Sequence, residues 1–451
     1  MKKTFLYSFS ILLALVSFKS SAQNKYKIDL QVKGLSDSVG YLAYYYGKGM
    51  YYRDTANFDK QGNIQFTGKD TLASGMYSLI YRSDKLFDIM LDVQEFSMST
   101  DTSDYTINMK TKGSKENDIF YEYMRFINTK QQYAQSLFKK KDAADEKEKK
   151  EIDKTLTDTD TEVRAFIAKL HKAHKGSLTS NFIYSTDSPK VPTTPKNPDG
   201  SIDSTFGFYY YKTHYFDNFD FNDERLLRTP SFNKKMMYYV DKLTLQDADS
   251  IIASVDYLLN KVKDNKTLFK FTLSQLTSKY ERSENMGFDA IFVHLGKSYF
   301  MKGKANEWFS DDQMKKMAER VTALDPLLIG KQAPNIVVKD TSQTKFLELY
   351  DVEAEYTILY IWSPDCGHCK TATPKLKKLY DKMKDKGVKV FAVGNDYENE
   401  PWIKFINKHN LDWINGSDGP SFRSNYQRDY DVFSTPQTYL LDKNKKSFRK
   451  K

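Results

Sequence analysis

The chain has 451 residues, a formal charge of +10 at pH 7, 15% aromatic content and only two cysteines. That length predicts two to four domains, and a single cysteine pair excludes a disulfide-stapled scaffold, so the fold must rest on hydrophobic cores built partly from its 32 Tyr and 30 Phe. The Lys residues are interleaved with Asp and Glu, which reads as solvated surface and not as a nucleic-acid partner.

The N-terminus carries Lys2 and Lys3, an apolar run over 5–18 and then Ser20-Ser21-Ala22. This is the pattern of a secretory leader cleaved after Ala22, giving a segment 1–22 that is absent from the mature chain. The run is shorter than the ~20 residues a membrane-spanning helix needs, and no later stretch approaches that length. The chain is therefore expected to be secreted across the inner membrane, to the periplasm or cell envelope.

Residues 23–112 read as β-structure. Tyr26, Ile28, Leu30 and Val32 alternate with polar residues, and further short runs at 39–46, 64–66, 76–81, 89–93 and 105–109 are separated by turn clusters such as Asp59 to Asn63. The expectation is a small antiparallel β-sandwich. Tyr44 to Tyr46 and Tyr51-Tyr52 read as packing residues, since aromatic side chains favour strands on those grounds alone.

From 113 to 325 the period is helical. Ile119, Tyr123, Phe126, Tyr133 and Leu137 form an apolar stripe, and the charged stretch at 139–154 reads as a solvated helix face or, alternatively, as the turn of a long helical hairpin. The Pro-rich segment 188–200 cannot be regular structure and is expected to be an exposed loop. The aromatic-dense run 206–221 is expected to lie between helices. His171 and His174, three apart on a helix without an acidic or thiol partner nearby, read as surface residues. Helical periodicity continues over 247–263, 269–281, 287–301 and 311–324 until Pro326 ends it.

Residues 326–451 form the last region. Apolar runs at 336–338, 358–362 and 388–393, with a helical stretch at 370–386, predict a parallel sheet covered by helices. Both cysteines lie here, in Trp362-Ser363-Pro364-Asp365-Cys366-Gly367-His368-Cys369. A strand, a sharp turn and Cys-x-x-Cys opening a helix put the first thiol where unpaired N–H groups and the helix dipole favour its thiolate. Cys366 is thus the expected nucleophile and Cys369 the resolving thiol. A structural disulfide is the competing reading, but a two-residue loop constrains the unfolded chain very little. Cys-x-x-Cys is also half a zinc site, yet no second pair follows at ligand spacing. No cofactor and no metal are expected.

On these residues the region resembles the thioredoxin superfamily, and within it the TlpA/ResA-like thiol-disulfide oxidoreductases of the bacterial envelope, which are related to the AhpC/TSA proteins. The matching features are Leu327 to Pro334, Trp362-Ser363-Pro364, the two cysteines, Pro374 in the following helix, and Ser434 to Leu440. The resemblance implies a multidomain α+β chain ending in a thioredoxin-like α/β domain, with catalytic Cys366 and Cys369 supported by Trp362, His368, Thr435 and Pro436. It also implies a cis Thr435-Pro436 bond, with Pro436 shaping the substrate surface and the Thr435 backbone pairing with an incoming peptide. His368 gives the Cys-Gly-His-Cys motif of protein disulfide isomerase, where a histidine favours the Cys366 thiolate and a more oxidising disulfide. Implied partners are protein thiols and disulfides of the envelope and a redox partner that recharges the dithiol, in the direction of a reductase or isomerase more than a primary oxidase. The two front regions are expected to position substrate or to mediate self-association.

Two departures stand out. Relatives carry a carboxylate two residues before the helix proline, where this chain has Ala372, and 356–362 lacks the buried acid of thioredoxin itself. Proton transfer from Cys369 then falls to water or to Glu353, Glu355 or Asp365. After Lys446, residues 447–451 suffice for a returning edge strand and not for the usual final helix. Two rival readings stay open: a binding or scaffold protein with a vestigial thioredoxin-like domain, and a thiol peroxidase, for which Ser363 fits the hydroxyl position but Leu359 stands in place of the proline.

Overall fold

A computed structural model of the chain describes residues 25–36, 38–395, 398–418 and 425–450. The expected leader, 1–22, lies outside them. The chain divides into two compact units, residues up to 191 with 214–234, and 192–213 with 235 onward.

In the first unit, eight strands are β1 (Tyr26–Lys33), β2 (Val39–Tyr46), β3 (Gly49–Asn57), β4 (Asn63–Gly68), β5 (Gly75–Tyr81), β6 (Asp84–Leu91), β7 (Glu95–Asp101) and β8 (Lys110–Lys112). They form two four-stranded sheets, ordered β4-β1-β7-β8 and β3-β2-β5-β6. The alternation in β1 works as expected, with Tyr26, Ile28, Leu30 and Val32 all buried. The sheets are not purely antiparallel, however: β1 and β7 run parallel, with Ile28 opposite Phe96. Between them the chain builds the whole second sheet, which supplies the long crossover that a parallel pair needs. Residues 105–109 are turn and not strand, because the Asp104 carboxylate accepts the N–H groups of Thr106 and Ile107 at 2.8 Å. Strand β3 lacks a periodic signal because it faces solvent along most of its length. Its Tyr51 sits opposite Tyr44 with ring centres 5.7 Å apart, and its Tyr52, opposite Ala43, reaches diagonally to Tyr41 at 4.9 Å. They are half-exposed cross-strand pairs rather than core.

The hairpin of helices is present as Lys115–Lys141 and Glu146–Ala173, turned at Asp145, whose side chain forms a capping box with Glu148. Phe126 and Phe166 stack across it at 4.0 Å. The aromatic run divides: Tyr215, Phe216 and Phe219 are buried, whereas Phe208 and Tyr209 are exposed.

The second unit contains the helices Ala248–Lys261, Lys266–Glu281, Asp289–Leu295 and Asp311–Leu324, and strands β9 (Val337–Asp340), β10 (Phe346–Glu348), β11 (Tyr356–Trp362), β12 (Val388–Gly394), β13 (Ile414–Ser417), β14 (Gln437–Asp442) and β15 (Ser447–Lys450). These make one seven-stranded sheet, ordered β10-β9-β13-β12-β11-β14-β15. Only β13, β12 and β11 are parallel; β14 and β15 return antiparallel, and β9 meets β13 antiparallel. The sheet is therefore mixed where a parallel one was expected, since β14 and β15 are joined by a tight turn. One face carries Ile358, Tyr360, Trp362, Val390, Ala392, Trp402 and Trp413 in a single core cluster with Cys369. The other face is closed as well, with Leu359, Ile361, Phe391 and Val393 fully buried. This two-sided burial explains why β11 and β12 are continuous apolar runs in the sequence.

Candidate functional site

Strand β11 ends at Trp362, deep in the core. Its indole is fully buried, 5.1 Å from the Phe405 ring and stacked near Tyr360. The chain then turns through Ser363 to Asp365 and starts the helix Gly367–Met383 with Cys366 as its N-cap residue. Cys366 is partly exposed and Cys369, one turn further in, is completely buried. Both are free thiols. Pro374 sits inside the helix without ending it.

Two contacts define the Cys366 sulfur. Its thiol donates to the Thr435 carbonyl at 3.1 Å, and its Sγ accepts the Cys369 N–H at 3.4 Å. The second is the N-cap bond, which places Sγ at the positive end of the helix dipole. Burial works to raise this thiol, but the Thr435 and Cys369 side chains and the N–H groups of Cys369 and His368 outweigh it, holding Cys366 below its ordinary value. Cys369 goes the other way. Burial pushes it up to about 11. Two thiols one turn apart thus differ in the sense dithiol exchange requires, the accessible one lowered and the buried one raised.

The remaining residues singled out in the sequence fall as follows. The Thr435-Pro436 bond is cis, and the Thr435 carbonyl meets Cys366. His368 is exposed on the first turn. Glu353 and Glu355 are not brought to the thiols. They precede β11, whereas Cys366 follows its far end, about 20 Å away at ~3.3 Å per residue. Asp365 is exposed in the turn. The sequence reading missed what does lie under Cys369: Tyr360 Oη and Thr373 Oγ1 share a buried hydrogen bond of 2.8 Å. Tyr360 stands on the inward face of β11, and Thr373 is one helical turn beyond Cys369. The i, i+4 spacing of Cys369 and Thr373 was the available signal. Burial raises the Tyr360 hydroxyl far above its ordinary range, with negative charge at Cys369 and Cys366 acting in the same direction.

Among the described residues no group of His, Cys, Asp and Glu side chains gathers as a metal site. His171 is engaged otherwise, bonded to Ser180 Oγ at 3.0 Å and stacked on Tyr184. No helix among the described residues is long and apolar enough to cross a membrane.

A mixed sheet with a Cys-x-x-Cys helix start facing a cis-proline loop defines a thioredoxin-like domain. The AhpC/TSA family matches residues 329–446, and two domains of unknown function, DUF4369 and DUF5106, match 26–120 and 138–325. The thiol-disulfide oxidoreductases ResA of Bacillus thuringiensis (strain Al Hakam) and Bacillus anthracis are each 32% identical over 123 residues, which is 27% of this chain and 68% of theirs. The solved thioredoxin domain of a thiol-disulfide oxidoreductase from Bacteroides vulgatus is 27% identical, covering 27% of this chain and 87% of that one at a TM-score of 0.26. The chain belongs to the ResA-type thiol-disulfide oxidoreductases. It is a protein disulfide oxidoreductase, and protein thiols are the substrate class of that family.

Proposed function

We propose that this chain acts outside the cytoplasm, in the cell envelope, and reduces or isomerises protein disulfides through Cys366 and Cys369. The observation that carries the reading is the pairing of a lowered, partly exposed Cys366 at a helix N-cap with a raised, buried Cys369 one turn in. In the reducing direction the Cys366 thiolate attacks one sulfur of a substrate disulfide. A mixed disulfide forms and the other substrate sulfur leaves as a thiolate, which takes up a proton. Cys369 then loses its proton and attacks Cys366 Sγ. The substrate departs reduced, and two electrons have passed from the dithiol, which is left as the Cys366–Cys369 disulfide. A partner thiol pair must return those electrons.

Trp362 anchors the turn from below, and Pro436 and Thr435 form the wall against which the substrate chain lies. His368 shifts the balance towards the reduced form. The oxidoreductase part is assigned to 326–451, with 23–112 and 113–325 as accessory regions. The assay is insulin reduction by the full chain beside a Cys366→Ser variant. Loss of turnover in the variant supports the reading; equal inertness of a folded wild type and variant overturns it in favour of a binding or scaffold role. A Cys369→Ser variant should accumulate mixed disulfides with envelope proteins, and recovering none under mild oxidation counts against protein substrates.

A further inference from the structure

Phe433 lies two residues before Thr435 and is 80% exposed. A lone exposed apolar residue is ordinary, but this one rims a groove of about 490 Å³. The groove runs from Ser434 and Gln437 on one side to Met286 and Phe292 of the helical segment on the other. Arg320, on the helix Asp311–Leu324, ties the two walls. It donates to Glu281 and bonds Asp431 at 3.3 Å, and its guanidinium lies 5.5 Å from the ring centres of both Phe292 and Phe433. The neighbouring Val321 is seated against Gly296, where an added Cβ would come within 2.2 Å of Val321 Cγ2. Helix Asp311–Leu324 is thus seated on its own helical segment through Val321 and tied through Arg320 to Asp431 and Phe433 of the loop.

The groove is acidic. Glu281, Glu284, Asp289 and Asp431 line it against the single guanidinium of Arg320. Its lining reaches Ser434, the neighbour of Thr435, whose carbonyl Cys366 touches. A substrate strand that starts at Thr435 advances ~3.3 Å per residue, so a few residues of flank suffice to enter the groove. Exposed apolar surface rimmed by charge marks an interaction site.

We infer that this groove receives the polypeptide flank of the disulfide being exchanged, and that it selects an extended segment with a bulky apolar side chain near the cysteine and a basic residue beyond it. The inference rests on the Cys366 reading and gives the helical segment a part in substrate choice. Phe433 is then a specificity-determining residue.

The test uses the pre-reduced full chain and three disulfides: Ellman's reagent, too small to reach the groove, and two cysteine-peptide dimers, one flanked by Leu and Lys and the other by Gly and Asp. The expected second-order rate constant is about 10-fold higher for the Leu/Lys peptide, at the low end for an open apolar subsite. Phe433→Ala should bring the ratio towards one, and Glu284→Lys should lower the Leu/Lys rate and raise the Gly/Asp rate, with circular dichroism confirming a native fold for both. A wild-type ratio near one, with Ellman's reagent reduced, overturns the groove and leaves the Cys366 reading standing. So does a ratio that survives Phe433→Ala in a folded variant. A folded chain inert towards Ellman's reagent as well overturns both.

Discussion

The Cys366 thiol is bonded to the Thr435 carbonyl at 3.1 Å, a contact that only the protonated sulfur can make as donor. Once Cys366 ionises, sulfur and carbonyl oxygen repel, and that contact is lost. Under the function proposed above, the Thr435 oxygen would then be released to an N–H group of the substrate strand. Against burial, the Thr435 and Cys369 side chains and then the N–H groups at the helix start hold the Cys366 thiol below its ordinary value.

The first prediction concerns that balance. Iodoacetamide should alkylate Cys366 in a Cys369→Ser chain with a half-rise below the ~8.5 of a free thiol. Cys369 in a Cys366→Ser chain should react slowly and only at a pH well above it, because burial holds that thiol up. The signs carry over to stability of the dithiol form. Cys369, raised in the fold to about 11, contributes stability that is complete below ~8.5 and is lost as pH climbs towards 11. Cys366, depressed in the fold, contributes in the opposite sense, its share growing as pH rises through its folded value to its unfolded one. A half-rise for Cys366 at or above that of free cysteine would sink the assignment of roles.

How far the sequence exposed all this depended on burial. Strands β11 and β12, closed on both faces, announced themselves as apolar runs, and the thiol pair was readable because Cys366 and Cys369 have no sulfur competitors. β3 faces water along most of its length and left no clear period, whereas β7 does alternate, with Phe96, Met98 and Thr100 turned inward, a signal that the sequence reading passed over. The parallel pairing of β1 with β7 depends on a crossover through a second sheet, which no local pattern records. Tyr360 was visible only as another apolar strand residue, because its partner Thr373 lies across the sheet-helix interface. Phe433 and Arg320 are 113 positions apart, and their contact is purely tertiary.

The Tyr360–Thr373 bond yields the second prediction. Tyr360→Phe leaves the Thr373 hydroxyl without that partner in a dry core and should cost about 1–3 kcal/mol. Thr373→Val should cost a similar amount by stranding the Tyr360 hydroxyl. The double variant removes both groups and should be less destabilised than the sum of the two by about 1 kcal/mol or more. Urea unfolding of the four reduced proteins checks this, and additive losses would show that the two hydroxyls are satisfied independently.

Gly296→Ala is the third. The added methyl would enter Val321 at 2.2 Å, a side chain that is itself fully buried, so helix Asp311–Leu324 must shift or strain. Overpacking of this kind costs about 1–3 kcal/mol. Because Arg320 follows from the same helix, the variant should also weaken the peptide preference assigned to the groove. Val321→Ala in the Gly296→Ala background makes room for the methyl and should recover part of the stability. No recovery in the thermal midpoint would place the strain elsewhere.

The fourth prediction separates His368 from the thiols it lies between. His368 is exposed, so its influence on Cys366 is through charge and is screened by water. When protonated it favours the thiolate, and therefore the reduced protein, which makes the disulfide more oxidising. His368→Ala should accordingly lower the reduction potential, by about 10–30 mV, since ~30 mV corresponds to ~1.4 kcal/mol for a two-electron couple. Equilibration of the wild type and the variant against glutathione buffers measures it. A potential that stays the same in the variant would mean that the helix N-terminus, and not the histidine in the motif, acts on Cys366.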